Sequence, residues 1–402
     1  MNHSPADQEA PLPPLPSNVR VLGWVSFFTD VSSEMIFPLL PAFLTIVLGA
    51  DPFVLGLIEG ISDTTSSLLK LVSGYLSDRF KKRRFFVLLG YGLSSLLRPL
   101  TGLAPHWSMV LGIRFGDRVG KGLRTSPRDA LIAQSVPASQ AGRAFGFHQM
   151  MDHAGAVVGS LIGAGLIFLL PGKYRMIFLF AGAPALCALG ILTRVREKEP
   201  IEKSPEKTEK SPPLPVQVKF FLGLLFFFTL GNATDAFLLL RLQVNGLPLA
   251  VIPLLWAGLH IIKASSNSWI GRLSDRGNRR AFLLLGWIFY AAVYSLFALP
   301  LPTTAVVLLF LAYGLFYGLT EPTEKALLKE WVPAEQYGTA YGLYHTVLGV
   351  ALLPAGLFFG FLWKTWGYGA AFGFGAGITA VTAVVWIFWM AVRSTSFSRG
   401  TS

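Results

Sequence analysis

The sequence predicts an all-α integral membrane protein with twelve transmembrane helices in two pseudo-symmetric bundles of six. Three observations carry that expectation. Of 402 residues, 52% are hydrophobic and only 14% charged, with a mean hydropathy of +0.54, whereas water-soluble chains are about 25% charged. Twelve apolar runs, centred near residues 35, 65, 95, 120, 155, 184, 230, 260, 290, 315, 350 and 380, fall six in each half, and a spanning helix needs roughly 20 such residues. A short signature also occurs twice, 197 residues apart: Gly74-Tyr75-Leu76-Ser77-Asp78-Arg79 and Gly271-Arg272-Leu273-Ser274-Asp275-Arg276. Half-chain duplication of this kind is an architectural repeat.

The elements follow in chain order. The first 17 residues are rich in Pro and lack a basic segment leading into a short apolar core, so they read as a disordered cytoplasmic N-terminus without a removable signal peptide. Residues 18–196 hold the first six runs. Residues 197–216, with mixed charge and Pro212, Pro213 and Pro215, read as a solvated cytoplasmic linker. Residues 217–393 hold the other six runs, and 394–402 form a cytoplasmic tail. The runs suit helices rather than short alternating strands, because backbone amides in hydrocarbon must bond within their own segment.

Basic residues near the runs concentrate in the connections after runs 2, 4, 6, 8 and 10: Arg79 with Lys81 to Arg84, Arg143, Arg194 with Lys219, Arg272 with Arg280, and Lys329. The opposite connections hold only Lys173, Arg175 and Lys364. By the positive-inside rule both termini are cytoplasmic, in a cytoplasmic (inner) membrane. The formal charge of +12 is therefore a topology signal, and nucleic acid is not expected as a partner. Cys187, the one cysteine, excludes an internal disulfide and a thiolate cluster, and reads as a small packing residue.

A second internal match supports the duplication. Val136-Pro137-Ala138, Gln140, Gly142, Ala144 and Gly146 recur as Val332-Pro333-Ala334, Gln336, Gly338, Ala340 and Gly342. Together with the linker and the six-plus-six count, the repeated Gly-x-Leu-Ser-Asp-Arg loop resembles the hallmark loop of the major facilitator superfamily, between helices 2 and 3 and helices 8 and 9. The resemblance covers roughly residues 18–393. It implies two bundles that rock around a central cavity by alternating access, with Gly74, Asp78, Arg79, Gly271, Asp275 and Arg276 forming a gating latch. Physically, an Asp at such a helix end accepts bonds from free amides of a neighbouring helix start and pairs with Arg. Topological anchoring alone explains the basic residues but not the repeated Gly and Asp.

The fourth run carries Arg114, Asp117, Arg118, Lys121, Arg124, Arg128 and Asp129, although one charge at mid-bilayer costs about 2.5–3.5 kcal/mol on insertion scales. These side chains must face protein or water. Helical spacing puts Asp117 within reach of Lys121, and Asp129 within reach of a neighbour. Arg128 and Asp129 suit a helix end already in the cytoplasm, while Arg114, Asp117, Arg118 and Lys121 suit a cavity or helix interface. Arg114 also resembles the fourth-helix arginine of the family, which implies assistance to proton transfer. The segment Gly116-Asp117-Arg118-Val119-Gly120-Lys121-Gly122 is not a phosphate loop, since its glycine spacing is too short and Gly122 stands where Ser or Thr must follow Lys.

Carboxylates recur on other runs. Asp30 with Glu34, and Glu59 with Asp63, are one-faced i, i+4 pairs. Two carboxylates in low dielectric cannot comfortably both ionise, so such a pair holds a proton near neutral pH and suits proton coupling, unless fourth-run cations keep it charged. His148, Asp152, Asp235, His260 and Glu321 are further cavity candidates, with His153, Glu324 and His345 nearby in sequence. Their pattern is too sparse for a metal site. Gly146, Gly155, Gly159 and Gly163 resemble the antiporter motif of exporters in the family, with Ser160 in place of Pro and Ala164 in place of Gly. That resemblance implies close packing of helices 5 and 8; plain small-residue packing is the alternative.

The expected function is transport of a small organic solute, as a proton-coupled exporter. The alternative is an importer of an anionic metabolite or metal chelate bound by Arg114, Arg118 and Lys121. An enzyme or sensor is disfavoured by both latch loops. No cofactor or catalytic residue is expected, and the partners are substrate, protons and lipid around a monomer.

Overall fold

A computed structural model of the protein describes residues 14–136, 141–196, 213–333 and 337–398. Among them every regular element is helical and no strand occurs. The first half comprises α1 (Ser17–Val47), α2 (Pro52–Phe80), α3 (Arg83–Leu103), α4 (Trp107–Gln134), α5 (Ala141–Leu169) and α6 (Tyr174–Leu192). The second comprises α7 (Val216–Val244), α8 (Val251–Arg276), α9 (Arg279–Phe297), α10 (Thr303–Trp331) and the stretch Tyr337–Ser398. That stretch turns at Gly367, whose φ of 82° is open to glycine without a Cβ clash. The turn separates α11 (337–366) from α12 (368–398).

Eight stretches of the described residues are long and apolar enough to cross a membrane: α1, α3, α5, α6, α7, α9, α10 and the α11–α12 stretch. The helices α2, α4 and α8 have comparable lengths of 29, 28 and 26 residues but carry more charge. Most of the expected linker at 197–216 lies outside the described residues, as do parts of the Val136 and Val332 repeat.

The opening helix of each half is broken midway. In α1 the regular helix Ser17–Glu34 gives way to a 3₁₀ turn, Phe37–Leu39, and a wide turn, Phe43–Val47. Pro38 and Pro41 withdraw amide donors there, so the α ladder cannot continue. In α7 the helix Val216–Gly231 stops, Asn232 adopts a non-helical conformation, and helix resumes at Ala236–Val244. At the start of α2, Asp51 accepts a hydrogen bond from the Val54 amide at 3.0 Å, with Pro52 at the first helical position.

The two halves meet most extensively along α2 and α11. A Cβ on Gly56 would lie 2.0 Å from the Gly356 carbonyl oxygen, and one on Gly349 would lie 2.3 Å from Ser67 Cβ. Only glycine permits this backbone approach. The α5 glycines behave differently from the expectation drawn from the antiporter resemblance. Gly155 and Gly159 press on the carbonyls of Phe27 and Val31, each 2.4 Å from a would-be Cβ, so they seat α5 on α1 rather than on α8. Cys187 is exposed on α6, not packed inside.

At the end of the bundle away from the termini, the halves are tied by Lys364 to Asp51 at 2.7 Å and by Gln243 donating to Thr45 at 3.0 Å. Their interiors differ in chemistry. The second half packs aromatic rings, including Phe228, Trp287, Tyr290, Tyr294, Tyr313 and Phe316. Among the described residues the first half buries more charged side chains, Glu59, Arg98, Arg114, Asp117 and Arg124, than the second, Arg241 and Glu324.

Candidate functional site

The charges of α4 are tolerated because most have partners from neighbouring helices. Helices α2 and α4 run parallel at a constant offset of 55 residues, so one i, i+4 step on each makes two rungs. On the first, Arg114 grips Glu59 through both carboxylate oxygens, at 2.6 and 2.7 Å from Nη2. On the second, Arg118 lies 3.6 Å from Asp63. Glu59 is fully buried and Asp63 partly so. The carboxylates of this pair therefore each face an arginine, and the sharing of one proton between them is not what the geometry provides.

Asp117 is bound by Arg98 of α3 at 2.8 Å, rather than by Lys121 as helical spacing suggested. Arg98 also donates to the Thr29 carbonyl at 2.7 Å, linking α3, α4 and α1. A guanidinium serves both acceptors from one rigid planar fork, so less freedom is lost per bond than with a lysine. The signal was present in the sequence as an arginine inside the third run, beside Pro99. Arg124 donates to Ser94 Oγ at 2.6 Å and lies over the Tyr91 ring at 4.4 Å. Arg128 pairs with Asp129 at 2.9 Å. Lys121 makes no ion pair among the described residues and is exposed.

That lysine opens onto a cavity of about 280 Å³ between the two halves. Its first-half wall includes Glu34, Asp63, Arg118 and Lys121; its second-half wall includes Asn232, Asp235, Trp256, His260 and Tyr317. The helix breaks put Glu34 and Asp235 here. Glu34 ends the regular part of α1 and accepts a hydrogen bond from Trp256 Nε1 at 2.7 Å, joining the halves across the cavity. Asp235 immediately precedes the resumed α7 helix and accepts from Tyr317 at 2.8 Å and Tyr313 at 3.0 Å. Lys263 stands 3.8 Å from Asp235 and above the Tyr317 ring. The sequence alone does not pair these tyrosines and Trp256 with carboxylates, because those partners lie about 80 or more than 200 residues away.

The other candidates separate. Asp30 is partly buried in α1 beside Gly155 of α5. His148 is buried, with Nδ1 3.4 Å from Asp152 Oδ2 on the same helix. Glu321 pairs with Lys325 at 3.0 Å and borders a second, larger cavity of about 840 Å³ between α5, α8 and α10. His260 borders both cavities. His345 is exposed, while Glu324 is buried and accepts from Tyr344 at 2.7 Å. Among the described residues no group of three His, Cys, Asp or Glu side chains is placed to hold a metal.

Of the latch candidates, Gly74 faces Ser126 of α4 and Arg79 is exposed at the end of α2. The side chains of Asp78, Asp275 and Arg276, and the surroundings of Gly271, lie outside the described residues.

Paired helical halves, opening helices broken where they meet, and a charged cavity at that junction define a polytopic membrane protein of the transporter class. The chain matches the Major Facilitator Superfamily over residues 22–264 and 220–401, and it belongs to that superfamily. It is 36% identical over 361 residues to an uncharacterized MFS-type transporter of Methanocaldococcus jannaschii, covering 87% of this chain and 89% of the relative. It is 26% identical over 334 residues to a multi-drug resistance efflux pump PmrA homolog of Lactococcus lactis, covering 78% and 80%. In fold it is similar to a peptide transporter POT, with a TM-score of 0.77 at 14% identity over 94% of this chain and 95% of the other. It is also similar to a bacterial homolog of the human lysosomal transporter Spinster in an inward-facing and occupied conformation, with a TM-score of 0.69 at 17% identity over 93% and 96%.

Proposed function

We propose that this protein is a proton-coupled secondary transporter that exports a small organic solute across the cytoplasmic membrane by alternating access, as a monomer and without enzymatic activity. The observation that carries the reading is the charged cavity at the junction of the halves, walled by the breaks in α1 and α7. On this reading α2, α4 and α8 also span the membrane, which makes twelve crossings, and the basic connections place both termini in the cytoplasm. The end tied by Asp51 and Lys364 is then external, and the described conformation is closed to the outside. Movement of the Gly74 and Gly271 loops, with Asp78, Arg79, Asp275 and Arg276, gates the opposite face. The similarity to the efflux pump homolog of Lactococcus lactis supports export.

Proton coupling falls to Asp30 and Glu34, because Glu59 and Asp63 are each faced by an arginine. Glu34 joins the two halves through Trp256, so its protonation state acts on the contact that must break when the halves rock. The test is proton flux into pyranine-loaded proteoliposomes after addition of candidate solutes under a pH gradient. Substrate-dependent flux is expected for the native protein and its loss for the Asp30→Asn, Glu34→Gln double variant; full flux in that variant sinks the assignment.

The unpaired Lys121, with Arg118 beside it, favours a second reading for substrate and direction: import of an anionic metabolite or chelate. Loss of transport for anions alone in Arg118→Gln supports it. Equal loss for every solute counts against it.

A further inference from the structure

The larger cavity has a feature that the central one lacks. Its rim on α5 includes Met150 and Val158, and its rim on α8 includes Ile261; these are 55%, 37% and 53% exposed. They belong to the outward apolar faces of their helices. On α5 the exposed face runs through Met150, Ala154, Val158 and Ile162, and on α8 through Leu254, Ile261, Ser265 and Trp269. Steps of four and seven residues keep each set on one side of its helix. The cavity therefore opens at the seam between α5 and α8 toward the surface that lipid covers. The opposite seam, α2 against α11, is closed by backbone contact at Gly56 and Gly360 and by Gly349 against the Ser67 side chain.

The inner wall of this vestibule is polar. His153 and His260 face one another with ring centroids 6.4 Å apart. Both ring nitrogens of His260, and Oδ1 of Asn267, are buried without a hydrogen-bond partner. Such groups are costly to bury unless something comes to bond them. Because His260 borders both cavities, it is the partition between the vestibule and the central site. Beyond it stands Lys121, exposed and making no direct ion pair among the described residues. Lys121 lies within electrostatic reach of Arg118, Lys70 and Arg124, against the carboxylate of Asp30.

We propose that the substrate is an amphipathic organic anion that enters sideways from the bilayer through the α5–α8 seam. Its apolar body occupies the rim at Met150, Val158 and Ile261, and its acidic head passes His260 to reach Lys121. This rests on the transporter reading and adds the substrate class and the route. The charge of the head is argued from Lys121, since the Glu321–Lys325 pair on the vestibule wall is self-compensated.

The test uses the full chain in proteoliposomes containing a trace of photoreactive palmitate or, separately, the matching photoreactive fatty alcohol. After illumination, adducts are mapped by peptide mass spectrometry. For the acid, labelling of residues 146–158 and 260–265 is expected to exceed that of the exposed α12 face, residues 381–388, by about tenfold, with little excess for the alcohol. Lys121→Met should bring the acid down to the level of the alcohol. Ile261→Trp, which fills the rim at an exposed position, should reduce acid labelling at the seam while leaving α12 labelling unchanged. Equal labelling of both faces overturns the route. Equal enrichment of acid and alcohol means ordinary bilayer lipid at the seam and overturns the anion assignment. Proton flux in pyranine-loaded liposomes is read independently: seam-selective acid labelling supports the site even if the transporter reading fails for lack of flux.

Discussion

Replacing Glu59 with Gln keeps the size of the side chain and removes one charge from the interior of the first half. Glu59 is 0% exposed and Arg114 8%. At the observed 2.6 Å, two unit charges attract by about 6 kcal/mol at an effective dielectric of 20. Asp117 stays 4.0 Å from Arg114, but it already serves Arg98 and replaces only part of that attraction. A glutamine carbonyl still accepts one hydrogen bond, so the expected cost falls to about 3–5 kcal/mol, as for other buried pairs broken from one side. If the first half melts as a unit, the melting temperature drops by roughly 5–15 °C. The assay is thermal denaturation of detergent-purified protein. The loss should change little with added salt, because a buried pair is weakly screened. Adding Arg114→Gln should recover much of the loss, since no unpaired guanidinium then remains. A single variant that melts within about 1 °C of the native protein refutes the argument. So does a double variant no more stable than the single.

Three other outcomes follow from the same structure. Gly56→Ala puts a methyl against the Gly356 carbonyl and should cost about 1–3 kcal/mol in thermal denaturation, whereas Gly373→Ala, with nothing within 4 Å, should be nearly neutral. Trp256→Phe removes the donor to Glu34, a bond worth about 0.5–3 kcal/mol, and should lower the melting temperature and, in a Cys187→Ser background, raise alkylation of a cysteine placed at Asn232. At the outer tie, burial pushes the Asp51 carboxyl up, but Lys364 and the Val54 amide outweigh it and hold the group below the usual carboxylate range. A lowered value stabilises the tied state above the ordinary carboxylate pKa of about 3.9, and that contribution is lost as pH falls below it through the folded value. Exposure of both side chains limits it to under about 1 kcal/mol. Spin labels on Val47→Cys and Val244→Cys, in a Cys187→Ser background, should therefore separate slightly on acidification below about pH 4, and Lys364→Gln should abolish the change.

The breaks in α1 and α7 were only half legible. Pro38 and Pro41 announce the first, but Asn232 to Asp235 carry no proline, and Gly231-Asn232 and Thr234-Asp235 are weaker cap signals inside an apolar run. The charged stripe of α4 was plain in the sequence, and so was its need for shelter. The identity of the sheltering groups was not. Asp117 had a lysine at ideal helical spacing and took Arg98 from another helix, because Arg98 could serve the Thr29 carbonyl at the same time. Of the α5 glycines singled out, Gly155, Gly159 and Gly163 are contact residues, but the neighbour they contact is α1, and Gly146 meets nothing within 4 Å. A glycine reports that something approaches its backbone and says nothing of what.

Membrane character, helical class, the duplication and the excess of cations on α4 are properties of the chain by itself. They follow from composition, run length and repeat, because lipid admits few ways to satisfy a backbone and charges a heavy penalty for an unsheltered ion. The tertiary structure decided which carboxylate meets which arginine, that Glu34 and Trp256 join the halves, that Lys121 makes no direct ion pair, and that one seam is sealed while the other holds a cavity. Those outcomes depend on distances between helices far apart in the chain. Side-chain pairing falls off within a few ångströms, and residue spacing along one helix does not specify which neighbour comes that close.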